Sequence, residues 1–136
     1  MIGKKLGEEQ GKVIGQRMLP GGDFRYVKME VSFQAQGKLL GAESTNTGTF
    51  EVFERVPGQL YGSGQGFAIT KDGESAIWNG HGVGKMTGKG MAMKFNFSIA
   101  FQAGAGKLSA LNNVLVVGEH EIDENGNVRT STWEWK

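Results

Sequence analysis

The chain has no cysteine among its 136 residues. That excludes a disulfide scaffold, a cysteine-based zinc site and a thiol nucleophile. Proline is scarce, at 2 residues, so this is not the Pro-Gly composition of a disordered or collagenous chain. Histidine is scarce as well: His81 and His120 form neither an H-x-H nor an H-x-x-x-H pair, which leaves a metal site with little support. No charge sign dominates. With 15 basic and 14 acidic residues the net charge is +1, and no general footprint for nucleic acid is present. No window approaches the ~18 consecutive apolar residues of a membrane helix. The opening MIGKKLGEEQGKVIG holds no apolar stretch long enough for a secretory signal, so the expected location is cytoplasmic. No metal, cofactor, membrane or nucleic-acid partner is expected.

What is abundant is glycine. The 23 glycines are about one residue in six, against a usual ~7%. Hydrophobic residues make up 38% and aromatics 10%, enough for one globular core in a single domain spanning residues 1–136. Charge is mildly uneven. Residues 61–110 carry five lysines against two acids, and residues 111–136 carry two basic residues against five acids. Solvated faces account for this, with a polar head-to-tail contact between subunits as the sharper alternative.

Hydrophobicity runs with period two almost throughout, the signature of half-buried strands. From Met91 to Gln102, the residues Met91, Met93, Phe95, Phe97, Ile99 and Phe101 share one face. Arg25 to Gln36 alternates likewise through Val27, Met29, Val31, Phe33 and Ala35. Thr49–Val56, Val114–Ile122 and Val128–Trp135 complete the pattern, and only Lys107–Asn112 suits a short helical turn. Pro20-Gly21-Gly22-Asp23 and Pro57-Gly58 read as turns.

Two further turns predict registers. Asp72-Gly73 has the signature of a two-residue type I′ hairpin loop, which sets Phe67 opposite Trp78, Ser63 opposite Gly82 and Gly64 opposite His81. Asn125-Gly126, read the same way, sets His120 opposite Ser131 and Gly118 opposite Trp133. Glycines at alternate strand positions let a sheet coil tightly and let bulky partners lie over backbone. About seven to nine strands with few helices must hide their edges, and closure does so best. The expected fold is all-β: a single antiparallel barrel of about eight strands with minimal helix, whose interior suits side chains or one small ligand.

The chemistry-bearing patterns are few. Gly84–Gly90 fails the P-loop spacing, because Val83 stands where a glycine is needed and Gly90 follows Lys89. Gly62-Ser63-Gly64 lies inside a predicted strand and is no nucleophile elbow. General acid–base chemistry has more support. The expectation is that His120, on an apolar face beside the Ser131 hydroxyl, transfers a proton near neutral pH, with Glu43, Glu51 or Glu74 as a second group. The alternative is a core histidine satisfied by one hydrogen bond. For Tyr61, Phe67, Trp78, Trp133 and Trp135, core packing stands beside a ligand-lining role.

The run Gly64-Gln65-Gly66-Phe67, Asp72-Gly73-Glu74, Trp78-x-Gly80-x-Gly82-x-Gly84 and then Gly104-Ala105-Gly106-Lys107-Leu108-Ser109-Ala110-Leu111-Asn112 resembles the allene oxide cyclase-like barrels. That group takes in plant allene oxide cyclases and dirigent-type proteins. The resemblance extends from about residue 30 onward and leaves the N-terminal segment outside it. It implies an eight-stranded barrel with an apolar cavity, often oligomeric. Allene oxide cyclases bind an unstable fatty-acid epoxide and mainly steer its folding.

Two functions follow as expectations. The first is a small-molecule-binding barrel, in its enzymatic form a cyclase or isomerase that confines a hydrophobic, lipid-like or polyketide-like substrate. Its candidate ligand-binding residues are Phe67, Trp78, Phe95, Phe97 and Trp133 as walls, with His120 and Ser131 as polar anchor; catalytic residues are unassigned. The second is a non-catalytic barrel with a side-chain-filled interior, acting as an interaction or structural protein. Both suit a homo-oligomer. Cavity volume separates them, since ligand pockets usually reach ~300 Å³ or more.

Overall fold

The computed structural model describes residues 1–20 and 27–136. Eight strands, β1 (Ile2–Leu19), β2 (Lys28–Leu39), β3 (Ala42–Val56), β4 (Gln59–Thr70), β5 (Ser75–Met86), β6 (Met93–Ala103), β7 (Leu115–Ile122) and β8 (Asn127–Trp135), pair in sequence order. β8 returns to β1 and closes an antiparallel barrel. Closure leaves no unpaired edge among the described strands. The periodic segments fall on strands as expected, and Lys107–Asn113 forms one 3-10 helix. Of the expected Pro20–Asp23 turn, residues after Pro20 lie outside the described part, as do Arg25 and Tyr26. Gly58, at φ +80, turns the chain after Pro57.

The two hairpin registers need correction. Thr70 N donates to Glu74 O at 2.8 Å and Gly73 N donates to Thr70 O at 3.0 Å, so the loop is Lys71-Asp72-Gly73, with Gly73 at φ +90. Asp123 N donates to Asn127 O at 3.0 Å, and Gly126 sits at φ +80 at the end of a matching three-residue loop. Each is a turn closed by a left-handed glycine. The extra residue slips each pairing by one. Gly66 faces Trp78, Phe67 faces Ile77, Ser63 faces His81, and His120 faces Thr130. Because side chains alternate, a one-residue slip exchanges faces.

The interior has two apolar clusters. One holds Val31, Phe33, Val52, Leu60, Met93, Phe95 and Ile122. The other holds Leu6, Leu39, Ala68, Ala76, Ile99 and Val116, plus Leu108 and Leu111 from the 3-10 helix, each 1% exposed. The helix thus plugs this cluster's side of the barrel, and the Glu74 carboxylate fastens it by accepting a hydrogen bond from Leu108 N at 2.9 Å. Trp78 packs against both clusters. Its ring lies over Gly66 and Gly48, where a Cβ would collide with it. The Phe97 ring lies over Gly118 in the same manner, while at Gly82 the paired strand's Asn96 carbonyl and Phe97 Cβ fill the place of a side chain. The alternating glycines are therefore the space into which neighbouring aromatics lean.

Candidate functional site

Between the clusters the barrel encloses a cavity of about 110 Å³. Phe33 and Phe50 reach it from β2 and β3, Trp78 from β5, Phe95, Phe97, Ile99 and Phe101 from β6. The inward glycines Gly62, Gly64, Gly80 and Gly82 form its β4–β5 wall. The rings are mutually tilted: Phe33 and Phe50 lie 6.3 Å apart at 55°, Phe50 and Phe95 5.7 Å apart at 71°.

Two polar assemblies enter this apolar lumen. On β7, His120 is 7% exposed, and its ring lies 4.9 Å from Phe33 and 5.7 Å from Phe50. Its Nδ1 shares a hydrogen bond with Thr130 Oγ1 at 2.8 Å, and Nε2 has no partner. Burial holds the imidazole well below its ordinary 6.5, at about 4, so it is neutral at physiological pH. Two strands away on β1, Glu9 accepts a hydrogen bond from Asn46 Nδ2 at 2.8 Å. Asn46 Oδ1 in turn accepts one from Trp78 Nε1 at 2.8 Å. Burial pushes the Glu9 carboxyl up from 4.5 to about 7, against the smaller opposing effect of the Asn46 hydrogen bond. Backbone pairing explains the proximity. Glu9 and His120 both pair with Thr130, one from each side of β8, so the three inward side chains form a row across β1, β8 and β7.

The site residues expected from sequence divide cleanly. His120, Trp78, Phe95 and Phe97 line the cavity. Phe67, Ser131 and Trp133 do not: the slipped registers turn all three outward. Phe67 is 45% exposed, Ser131 faces Glu119, and Trp133 lies under the Lys5 ammonium at 5.6 Å on the outer surface. The histidine's hydroxyl partner is Thr130 rather than Ser131. Nor do the expected second acids reach the lumen. Glu43 pairs with Lys71 at 3.4 Å and Glu51 with Lys28 at 3.3 Å on the outside, while Glu74 is committed to Leu108. Tyr61 points outward too, its hydroxyl 2.9 Å from His81 Nδ1. Sequence reasoning missed Glu9, Asn46 and Thr130. Glu9 has no apolar mark in the sequence; the structure alone shows Gly7, Glu9, Gly11 and Val13 as half-buried positions at every second residue. Among the described residues, no three His, Asp or Glu side chains come together to hold a metal ion, and no helix is long and apolar enough to cross a membrane.

No family model matches the chain, and no curated protein does. Solved structures do match its fold. A protein of unknown function from Clostridium acetobutylicum ATCC 824 superposes with a TM-score of 0.80 at 12% identity, over 98% of each chain. A conserved protein of unknown function from Rhodopseudomonas palustris gives 0.79 at 13% identity, over 98% of this chain and 97% of that one. A beta-barrel like protein from Acinetobacter baumannii AYE gives 0.80 at 12% identity, over 98% and 94%. At such identity the likeness is one of fold. The class is thus a closed, eight-stranded, antiparallel barrel with a small aromatic lumen.

Proposed function

We propose that this barrel binds one compact small molecule in its lumen, with Glu9 and His120 as its polar anchors. The observation that carries the reading is His120 Nε2: a buried nitrogen without a hydrogen-bond partner, on the wall of a cavity. Buried polar atoms are nearly always paired, and an orphan in a cavity marks where a ligand atom belongs. The volume bears on the class of ligand. An engineered cavity of ~150 Å³ holds benzene, so about 110 Å³ favours a molecule of a few heavy atoms over a long lipid-like or polyketide-like chain. The enzymatic form of the reading, isomerisation or cyclisation by confinement as in the allene oxide cyclase-like barrels, draws support from the tilted aromatic walls. It draws more from a carboxyl that can hold a proton two strands from a neutral imidazole.

The test is an amide and indole NMR screen with a library of compact molecules. Binding in the lumen shifts the Trp78 indole N–H and the amides of Gly62 and His120, and leaves those of Ser131 and Trp133 in place. Shifts confined to the outer surface, or none, overturn the reading.

A second reading has one observation behind it. The cavity falls short of the ~300 Å³ usual for ligand pockets, while Phe67, Ile69, Ile77, Leu115 and Trp135 stand exposed on the outer wall. On that reading the barrel is an interaction protein that self-associates through this face. Light scattering on the Phe67→Ser/Ile77→Ser variant separates the two: an oligomer that dissociates supports it, and a wild-type monomer removes it.

A further inference from the structure

We infer that the lumen's ligand is a small alkylammonium cation, held between the Glu9 carboxylate and the faces of Phe33, Phe50 and Trp78. The inference rests on the lumen being the binding site. Three observations converge on it.

The first is an acid without a counter-ion. Asn46 Nδ2 occupies Glu9 Oε1, and Oε2 has no hydrogen bond among the described residues. The residues facing Glu9 from the strands around it are Gly37 on β2, Thr130 on β8, Asn46 on β3 and His120 one strand further on β7. None is cationic, because His120 is held neutral by its burial. Lys38 and Glu8 border the cavity with exposed side chains, and Arg129 is exposed on the outer face of β8. A carboxylate in this place has no protein cation to pair with, and a ligand cation completes the site.

The second is the surface around it. The face of an aromatic ring attracts a desolvated cation, and an alkylammonium group, weakly hydrated and with few or no N–H donors left to satisfy, loses least on entering such a site. Phe33 stacks near Trp78 at 6.5 Å and 28°, and Trp78 is tethered through Asn46 to Glu9, so ring faces and carboxylate are fixed relative to one another.

The third is the range of charge the lumen can take. Its buried titratable side chains, Glu9 and His120, are neutral together at about pH 5 to 6 and carry one negative charge as the pH passes neutrality. Only below about pH 4, where His120 takes up a proton, do they turn positive, and the other titratable groups that border the cavity, Glu8, Lys38 and His81, are exposed. From about pH 5 upward an anion, a fatty carboxylate included, meets either a neutral or a repelling cavity.

The experiment compares three tetrahedral molecules of similar size and different charge: tetramethylammonium, tert-butanol and methanesulfonate. Binding is followed by calorimetry and by the Trp78 indole N–H resonance. Tetramethylammonium is expected to bind best. Its affinity should rise about tenfold from about pH 6 to about pH 8, with protons released on binding as Glu9 ionises. Glu9→Gln should lose the cation preference and the pH dependence together. Equal or tighter binding of tert-butanol or methanesulfonate to the wild-type protein overturns the inference, as does a cation affinity flat across that range; either leaves the lumen-binding reading standing. If none of the three binds and the wider screen shifts no lumen resonance, both fail. The charge series needs only the wild-type chain, so a Glu9 variant that misfolds does not blunt it.

Discussion

Two walls of the lumen are built from opposite materials. The β4–β5 wall is inward glycine at Gly62, Gly64, Gly66, Gly80, Gly82 and Gly84, crossed by rings that lean over it from neighbouring strands. The β1 wall carries Glu9 among Gly7, Gly11 and Val13, on a strand dominated by lysine, glutamate and glutamine. One wall makes room and the other makes chemistry. In a barrel of eight strands the interior holds little more than its own side chains. Volume for a ligand must then be created by deleting side chains on some strands, and polarity must enter on others. The comparison also locates rigidity. Neither wall has slack, since a Cβ at Gly11 on β1 would collide with Gln34 O, whereas Gly15, past the bulge in β1, is exposed with nothing within 4 Å.

The largest effect should come from filling the glycine wall. A Cβ at Gly82 would lie 2.5 Å from Asn96 O and 2.8 Å from Phe97 Cβ, and the backbone carbonyl cannot step aside. Gly82→Val is expected to cost about 3 kcal/mol or more in urea unfolding, at the upper end of overpacking. On β1, Gly15 has nothing within 4 Å of the same position, so Gly15→Ala should stay within about 0.5 kcal/mol. Equal costs at the two sites would erase the distinction between the packed wall and the exposed end of β1.

The next effect is of similar size but visible only against pH. Glu9 is raised from 4.5 to about 7, so its burial is unopposed below pH 4.5 and loses stability as the pH climbs through 7. His120 is lowered from 6.5 to about 4, so its share is intact above pH 6.5 and is lost as the pH falls through 4. Each slope is worth roughly 3 kcal/mol across its window. Between about pH 4.5 and 6.5 they oppose and nearly cancel, and these two groups leave the wild-type profile flat there. Glu9→Gln should uncover a rise in stability from pH 4 to 6.5. His120→Gln should uncover a fall from pH 4.5 to 7. Urea unfolding across that range checks both, and slopes of the same sign in the two variants would refute the assignment of opposed burial costs.

What the sequence disclosed follows the same division. The glycine-rich strands were legible because alternate glycines and bulky residues are a geometric code, and Trp78, Phe95 and Phe97 do line the lumen. The single wall was not, because the two-residue loop sets Gly62 and Gly64 on the face opposite Gly82 and Gly84, and only the observed pairing brings them together. The β1 wall was not legible either, because its inward positions Gly7, Glu9 and Gly11 carry no apolar mark, and a period of two is invisible without one. Phe67, Ser131 and Trp133 were misplaced for a different reason. A glycine after Asp or Asn serves both a two-residue and a three-residue loop, and the residue that decides lies before the pair. Thr70 and Asp123 bind their own loops: Glu74 N donates to Thr70 Oγ1 at 3.0 Å, and Asn125 N and Asn127 N donate to Asp123 Oδ1 at 2.9 Å. Short polar side chains of this kind favour the longer turn.

That turn chemistry supplies a smaller, sharper test. The hydrogen bonds from Asn127 and Asn125 hold the exposed Asp123 carboxyl below the usual carboxylate range. Asp123→Ala removes all three and should lower stability measurably in urea unfolding, while Glu124→Ala beside it should leave it almost unchanged. If the two variants behave alike, the loop is not held by Asp123, and the register argued for His120 loses its local cause.

A last pair of substitutions separates inside from outside on a single hairpin, with a large effect expected at one site and almost none at the other. Trp78 on β5 donates to Asn46 and covers Gly48 and Gly66, so Trp78→Ala should cost about 3 kcal/mol or more. Phe67 on β4 is 45% exposed beside Ile77, and its removal leaves no cavity. Phe67→Ser should therefore change the stability of a monomer by no more than about 0.5 kcal/mol. The measurement is worth making because a two-residue loop would have put both rings on one face and made both substitutions costly. A Phe67→Ser variant that unfolds as readily as Trp78→Ala at low protein concentration would restore the shorter loop. One that differs from wild type only at high concentration would instead show this outer face covered by a second copy.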